Sequence, residues 1–136
     1  MAKPTILHEA DMRTDRCRTR AESTTVIAVG DFLYASGGYA YVLDKETLDA
    51  NFLGLAYEAS ASGDTASITV LLRGVIDCSV ASSTYNVGDT LGYAGQYSLE
   101  ANSTQVLAWA LERGTATTRI RVLFDTVALG KLFDKT

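Results

Sequence analysis

Along much of the chain, large apolar and small or polar residues alternate with a period of two. Leu53, Leu55 and Tyr57 alternate with Gly54, Ala56 and Glu58, and Leu107, Trp109 and Leu111 alternate with Ala108, Ala110 and Glu112. Ile120, Val122 and Phe124 alternate with Arg119, Arg121 and Asp125. Successive side chains of a strand point to opposite faces, so this period predicts strands, and no block shows the 3.6-residue period of a helix. Small residues on one face of 53–58 and 107–112 predict close packing against that face. Trp109 aligns with Leu55 and is expected in the core.

The blocks recur in order. Val29-Gly30-Asp31-Phe32-Leu33 returns as Val87-Gly88-Asp89-Thr90-Leu91, and Tyr41-Val42-Leu43-Asp44 returns as Tyr97-Ser98-Leu99-Glu100. Leu53–Glu58 returns as Leu107–Glu112, and Ile68–Leu72 as Ile120–Phe124. The offsets are 58, 56, 54 and 52, so each connection is two residues shorter in the second copy. Length changes confined to links are what loops tolerate and strands do not. Gly30-Asp31 and Gly88-Asp89 read as turns into strands, and Gly37-Gly38 and Gly63-Asp64 as loop bends. The expected fold is all-β: a barrel or sandwich with an internal pseudo-twofold repeat. The single β domain is expected over 25–136, with one repeat at about 25–76 and the other at about 83–127. Only 44–50 has helical leanings, and it reads equally as a loop with one turn.

Residues 1–24 look different, with four arginines between Arg13 and Arg20 and apolar Ile6, Leu7 and Met12 set among charges. They read as an extended arm that orders on a neighbouring protein, its arginines pairing with carboxylates. A frayed, solvated terminus is the competing reading. The segment 127–136 suits a second short arm or a final helical turn.

Charge sharpens the division. Residues 1–28 carry five Lys/Arg against four Asp/Glu, while the rest carries seven against twelve, within a net charge of −4. An acidic body argues against nucleic-acid binding, where phosphate neutralisation dominates affinity. No apolar run approaches the roughly 20 residues that span a bilayer, so no membrane partner is expected. The first nine residues lack the apolar core of a secretion signal, which suggests synthesis and use inside a cell. Cys17 and Cys78 have neither disulfide-framework nor zinc-ligand spacing. Cys17 lies between Arg16 and Arg18, which would favour its thiolate if exposed, although an incidental thiol is the simpler reading.

Candidate chemistry is sparse. The one histidine, His8, lies in the arm, without a nucleophile partner in the repeats. Asp31 and Asp89, or Glu58 and Glu112, are repeat-related carboxylates that two-carboxylate acid/base chemistry would use. Asp after glycine in a turn serves more often to cap backbone N–H groups, and Glu at a strand end usually meets solvent. No catalytic residue, metal or cofactor is therefore expected, and the chain is read as not an enzyme. Tyr34, Tyr39, Tyr41, Tyr93 and Tyr97 suit either an aromatic binding patch or a core edge. Gly-Asp hairpins also occur in lipoyl and biotinyl carrier domains, but no lysine sits at a hairpin tip here.

In Phe52–Thr65, Val70–Val75 and Ala81–Asp89 the chain resembles the decoration or cement proteins of tailed-phage heads. The motifs are the Val-Gly-Asp turn, the Gly-x-Ala strand and the Arg-Gly-Val strand, within a likeness running from about Val26 to Phe124. The resemblance implies a β-rich structural protein on the outer capsid surface, bound to the major capsid protein, often as a homotrimer. It implies stabilisation of the shell and capsid contacts by a terminal arm. The arm residues set out for that role are Ile6, Leu7, Met12, Arg13, Arg16, Arg18 and Arg20. The alternative is a carbohydrate- or surface-binding β module that uses exposed tyrosines.

Overall fold

The structure is a computed structural model that describes residues 16–45, 51–95, 97–126 and 129. It contains ten strands, and no α-helix occurs among the described residues. The first five are β1 (Arg16–Arg20), β2 (Phe32–Ser36), β3 (Tyr39–Val42), β4 (Phe52–Ala56) and β5 (Ser67–Leu71). The others are β6 (Arg73–Tyr85), β7 (Thr90–Gly95), β8 (Ser98–Ala101), β9 (Ala108–Ala110) and β10 (Gly114–Asp125). Strands β1–β5 form one sheet in the order β1-β5-β4-β2-β3, and β6–β10 close into a barrel in the order β10-β6-β8-β7-β9.

Taken around the barrel from β6, the order β6-β10-β9-β7-β8 follows that of the first sheet strand for strand. The registers agree as well. Phe32 faces Leu55 and Leu55 faces Leu71, as Thr90 faces Trp109 and Trp109 faces Leu123. Arg16 faces Leu71 as Val75 faces Leu123. A parallel β6–β8 pairing, Ser79 with Ser98 and Val80 with Leu99, closes the barrel. The first sheet's edge strands meet at one parallel bridge, Ala21 with Ala40, at the matching place.

Two apolar clusters fill the molecule. The first sheet encloses Ala21, Ile27, Leu33, Ala40, Leu53, Ala56, Ile68, Val70 and Leu72. In the same order along the chain the barrel encloses Val80, Tyr85, Leu91, Leu99, Leu107, Ala110, Ile120, Val122 and Phe124. The barrel cluster also takes in Phe32, Leu43 and Phe52 from the first sheet. Phe52 stands edge-on to both Phe32 and Phe124, with ring centroids 6.1 and 6.3 Å apart, so the outer face of the first sheet packs against the barrel. Edge-to-face rings add about 0.5–1.5 kcal/mol each beyond their burial.

Three sequence expectations need correction. Residues 16–24, assigned above to the arm, are strand β1 and the turns after it, so the first sheet starts at Arg16 rather than near residue 25. Its alternation was legible: the half-buried Cys17 and Thr19 alternate with Arg18 and Arg20, which are exposed. In the third block the strict alternation fails. Phe52 and Leu55 face the barrel cluster while Leu53 and Ala56 face the other, so the phase slips at Gly54. The register shift opposite Leu33 and Tyr34 is a β-bulge, and Gly54 holds φ = 143° with the Leu71 carbonyl against it. Finally, Trp109 is not in the core. A five-stranded barrel has a narrow interior, so Ala108 and Ala110 point in and Trp109 lies half-buried on the outside.

Candidate interaction surfaces

The carboxylates of the Gly-Asp turns are committed to the backbone. In Ala28–Asp31, Asn86–Asp89 and Ala61–Asp64, the Asp Oδ2 accepts the N–H of the first residue at 2.8, 2.9 and 3.0 Å. Each Asp N–H in turn donates to the first residue's carbonyl at 3.1 Å. The third residue is glycine with φ of 93–95°, a conformation that side chains with a Cβ seldom adopt. The Asp31 and Asp89 turns were expected to cap in this way; the third, at Gly63-Asp64, repeats their geometry. Asp31 is 3% exposed, and its carboxylate raises the pKa of the Tyr97 phenol, first by hydrogen bonding and then by charge.

Glu58 and Glu112 do not simply meet solvent. Glu58 Oε1 accepts the Thr69 N–H at 2.9 Å, and Glu112 Oε1 accepts the Arg121 N–H at 2.7 Å. Hydrogen bonds from the Thr69 hydroxyl and N–H lower the pKa of Glu58, and the charge of Arg18 adds to them.

The arginines proposed for the arm divide in two. Arg13, with Ile6, Leu7 and Met12, lies outside the described residues. Arg16, Arg18 and Arg20 sit on β1 and make contacts within the chain. Arg16 stacks over Tyr57 at 4.3 Å and Arg20 over Tyr39 at 5.7 Å. Arg18 donates to Glu58 at 2.7 Å, to the Thr69 hydroxyl at 3.0 Å and to the Ser67 carbonyl at 2.6 Å. Its side chain is 61% exposed, so the ion pair adds little stability in water.

The tyrosines do not form one platform. Tyr34 stacks on Tyr41 at 5.3 Å, and Tyr34 and Tyr93 pack against the barrel cluster. Burial raises the pKa of both. Tyr97 is 56% exposed and borders a hollow of about 300 Å³ between the first sheet and the barrel. Phe32 and Leu55 line one side, and Ile76, Cys78 and Ser79 the other, with Asp77 bound to Arg119 Nε at 2.8 Å.

Sequence reasoning missed a second surface. On the outside of the barrel, Leu123 faces Trp109 on β9 and Val75 on β6 in one cross-strand row. Val75 is 59% exposed, and the row lies between the Arg73–Asp125 pair and Asp77 facing Arg121. The available signal was the alternation itself. If Ala108 and Ala110 fill a narrow interior, Trp109 must lie outside.

No protein-family model matches the chain, and no curated protein matches it by sequence. Among solved structures it is similar to the N base of the head fiber gp8.5 of bacteriophage phi29, at 14% identity and a TM-score of 0.50. The match covers 82% of this chain and 95% of that one, so the two share a fold.

Proposed function

We propose that this chain is a structural protein of a tailed-phage head, held on the outer capsid surface as a decoration or cement protein. The observation that carries the reading is the shared fold with a head-fiber base, spanning nearly all of that base. The motif resemblance of 52–89 to head decoration proteins points the same way. The partner would be the major capsid protein, and the lattice would gain stability by mass action. A protein that binds only the assembled shell stabilises each site by about 2.7 kcal/mol at a hundred times its dissociation constant. We place the capsid contacts in the N-terminal segment, on Ile6, Leu7, Met12 and Arg13. The half-buried Arg16 and the exposed Arg18 and Arg20 extend that surface along β1.

Quantitative mass spectrometry of purified particles tests the reading. A copy number comparable to the major capsid protein is expected, and absence from particles overturns it. Deleting residues 2–15 should abolish binding to empty shells while leaving the β-sheet circular dichroism intact. Unchanged binding would remove the arm from the proposal.

One observation favours a second reading, a carbohydrate-binding module. The hollow beside Tyr97 offers an exposed aromatic face next to the Asp77–Arg119 pair, the pairing of groups that sugar sites use. Glycan-array binding that is lost in Tyr97→Ala would support it.

A further inference from the structure

The row Phe32–Leu55–Leu71–Arg16 on the first sheet has its counterpart, strand for strand and in register, in Thr90–Trp109–Leu123–Val75 on the barrel. The two rows meet different fates. Leu55 and Leu71 pack against the barrel cluster, and Phe32 is buried in it. What lies across the hollow from Phe32 and Leu55 is the β6 segment Ile76–Ser79. The barrel row retains Trp109, Leu123 and Val75, and none of them belongs to either cluster. Within this chain, then, a row of this kind packs against the unit that follows it, with the β6 segment across a hollow from it. Among the described residues no further unit packs on the barrel's row.

We infer that this face receives the first sheet of a second copy of the chain, in a head-to-tail contact that repeats the internal one. The first sheet carries the matching segment: Cys17–Arg20 on β1 occupies the register of Ile76–Ser79 on β6. Charge favours the match. Arg18 and Arg20 stand exposed where β6 carries Asp77 and Ser79. Opposite them, Asp89 is half-exposed on the barrel at the turn position where Asp31 is buried on the first sheet. A Trp flanked by aliphatic residues and ringed by charge is the composition of an interface centre. Head-to-tail contacts use two different surfaces, so copies close into a ring or run on as a filament. This inference does not rest on the phage reading, because its test uses the isolated protein.

The full-length chain is studied by analytical ultracentrifugation over a range of concentrations, with acrylamide quenching of Trp109, the only tryptophan. The expected result is concentration-dependent assembly, with Trp109 shielded from acrylamide as assembly proceeds. Trp109→Arg and, on the exposed rim, Val75→Arg should each weaken assembly by about thirtyfold or more with unchanged circular dichroism. Arg20→Glu, on the opposite surface, should do the same. Mixing Val75→Arg with Arg20→Glu should then give a one-to-one heterodimer, because each supplies the surface the other lacks. A wild-type chain that stays monomeric at all concentrations overturns the inference. So does a monomer whose Trp109 is already shielded, since the chain's own terminal segments would then cover the row. Assembly untouched by Val75→Arg overturns it too, and mutants that fail to pair on mixing overturn the head-to-tail geometry.

Discussion

Glu58 and Glu112 hold corresponding places in the two sheets. The first binds the N–H of Thr69 at 2.9 Å and the second the N–H of Arg121 at 2.7 Å. Each glutamate lies just beyond the end of β4 or β9 and binds a backbone N–H of the neighbouring strand, β5 or β10. The adjacent backbone bonds, Tyr57 N–H to the Thr69 carbonyl and Leu111 N–H to the Arg121 carbonyl, also correspond. A carboxylate aimed at a backbone N–H extends the ladder where the strand partner has ended.

Glu112→Ala should lower stability by about 1 kcal/mol, the usual worth of such a hydrogen bond. For a chain of this size that is a fall in Tm of roughly 3–6 °C. Glu112→Gln keeps an acceptor oxygen and should lose less. Thermal unfolding of the two variants beside the wild type checks the order.

Glu58 supplies a pH dependence. Its pKa in the folded chain lies below the ordinary 4.5, chiefly through the Thr69 hydroxyl and N–H. A depressed carboxylate contributes stability that is present above 4.5 and is lost as pH falls through the folded-state value. Glu22, lowered by Thr24, acts in the same direction. Urea midpoints should therefore fall on acidification below about pH 5, and Glu58→Gln should flatten that slope. An equally steep slope in the variant would show that other carboxylates carry it.

Gly54 and Gly30 both have positive φ but differ in surroundings. A Cβ at Gly54 would collide with the Leu71 carbonyl oxygen, whereas one at Gly30 meets nothing within 4 Å. Gly54→Ala should cost about 3 kcal/mol or more, from backbone strain and a clash that a rigid strand cannot relieve. Gly30→Ala should cost about 1 kcal/mol from strain alone. Similar losses at the two sites in denaturant unfolding would mean that the bulge relaxes.

The two Val-Gly-Asp turns separate burial from capping. Asp31 and Asp89 make the same bond, but Asp31 is buried under the barrel while Asp89 is half-exposed. Asp31→Ala should cost about 1–3 kcal/mol and Asp89→Ala about 0.5–1.5 kcal/mol, because water reaches the second turn. Asp31→Asn should also let the Tyr97 phenol fall back toward its ordinary value of 10.0, which spectrophotometric titration of the tyrosines would register.

Burial raises the Cys78 thiol to about 11. At pH 8 Cys78 is therefore protonated as well as covered, and Ellman's reagent should reach it only after unfolding. Cys17, half-buried on β1, should account for any thiol that reacts in the folded chain. Two equivalents released without denaturant would contradict the packing around Cys78.

The strand blocks, the three Gly-Asp turns and the inward residues Ile68, Val70, Ile120 and Val122 were all legible in the chain, because alternation and turn chemistry are local. Strand β1 is also legible in the period-two pattern of Arg16–Arg20, although arginines at that density suit a solvated arm equally well. The expectation of Trp109 in the core concerns which face is inside. Alternation distinguishes two faces without saying which one is buried, and a barrel of five strands leaves room inside for Ala108 and Ala110 but not for Trp109. The slip at Gly54 escaped for a related reason, since a bulge is imposed by the partner strand and leaves only a glycine as its mark. Leu55 and Trp109 share a register position, yet one packs against the next unit and the other lies on the outer face. Their local sequence sets the alternation. Only the placement of one unit against the next, through contacts between residues far apart in the chain, decides which face is covered.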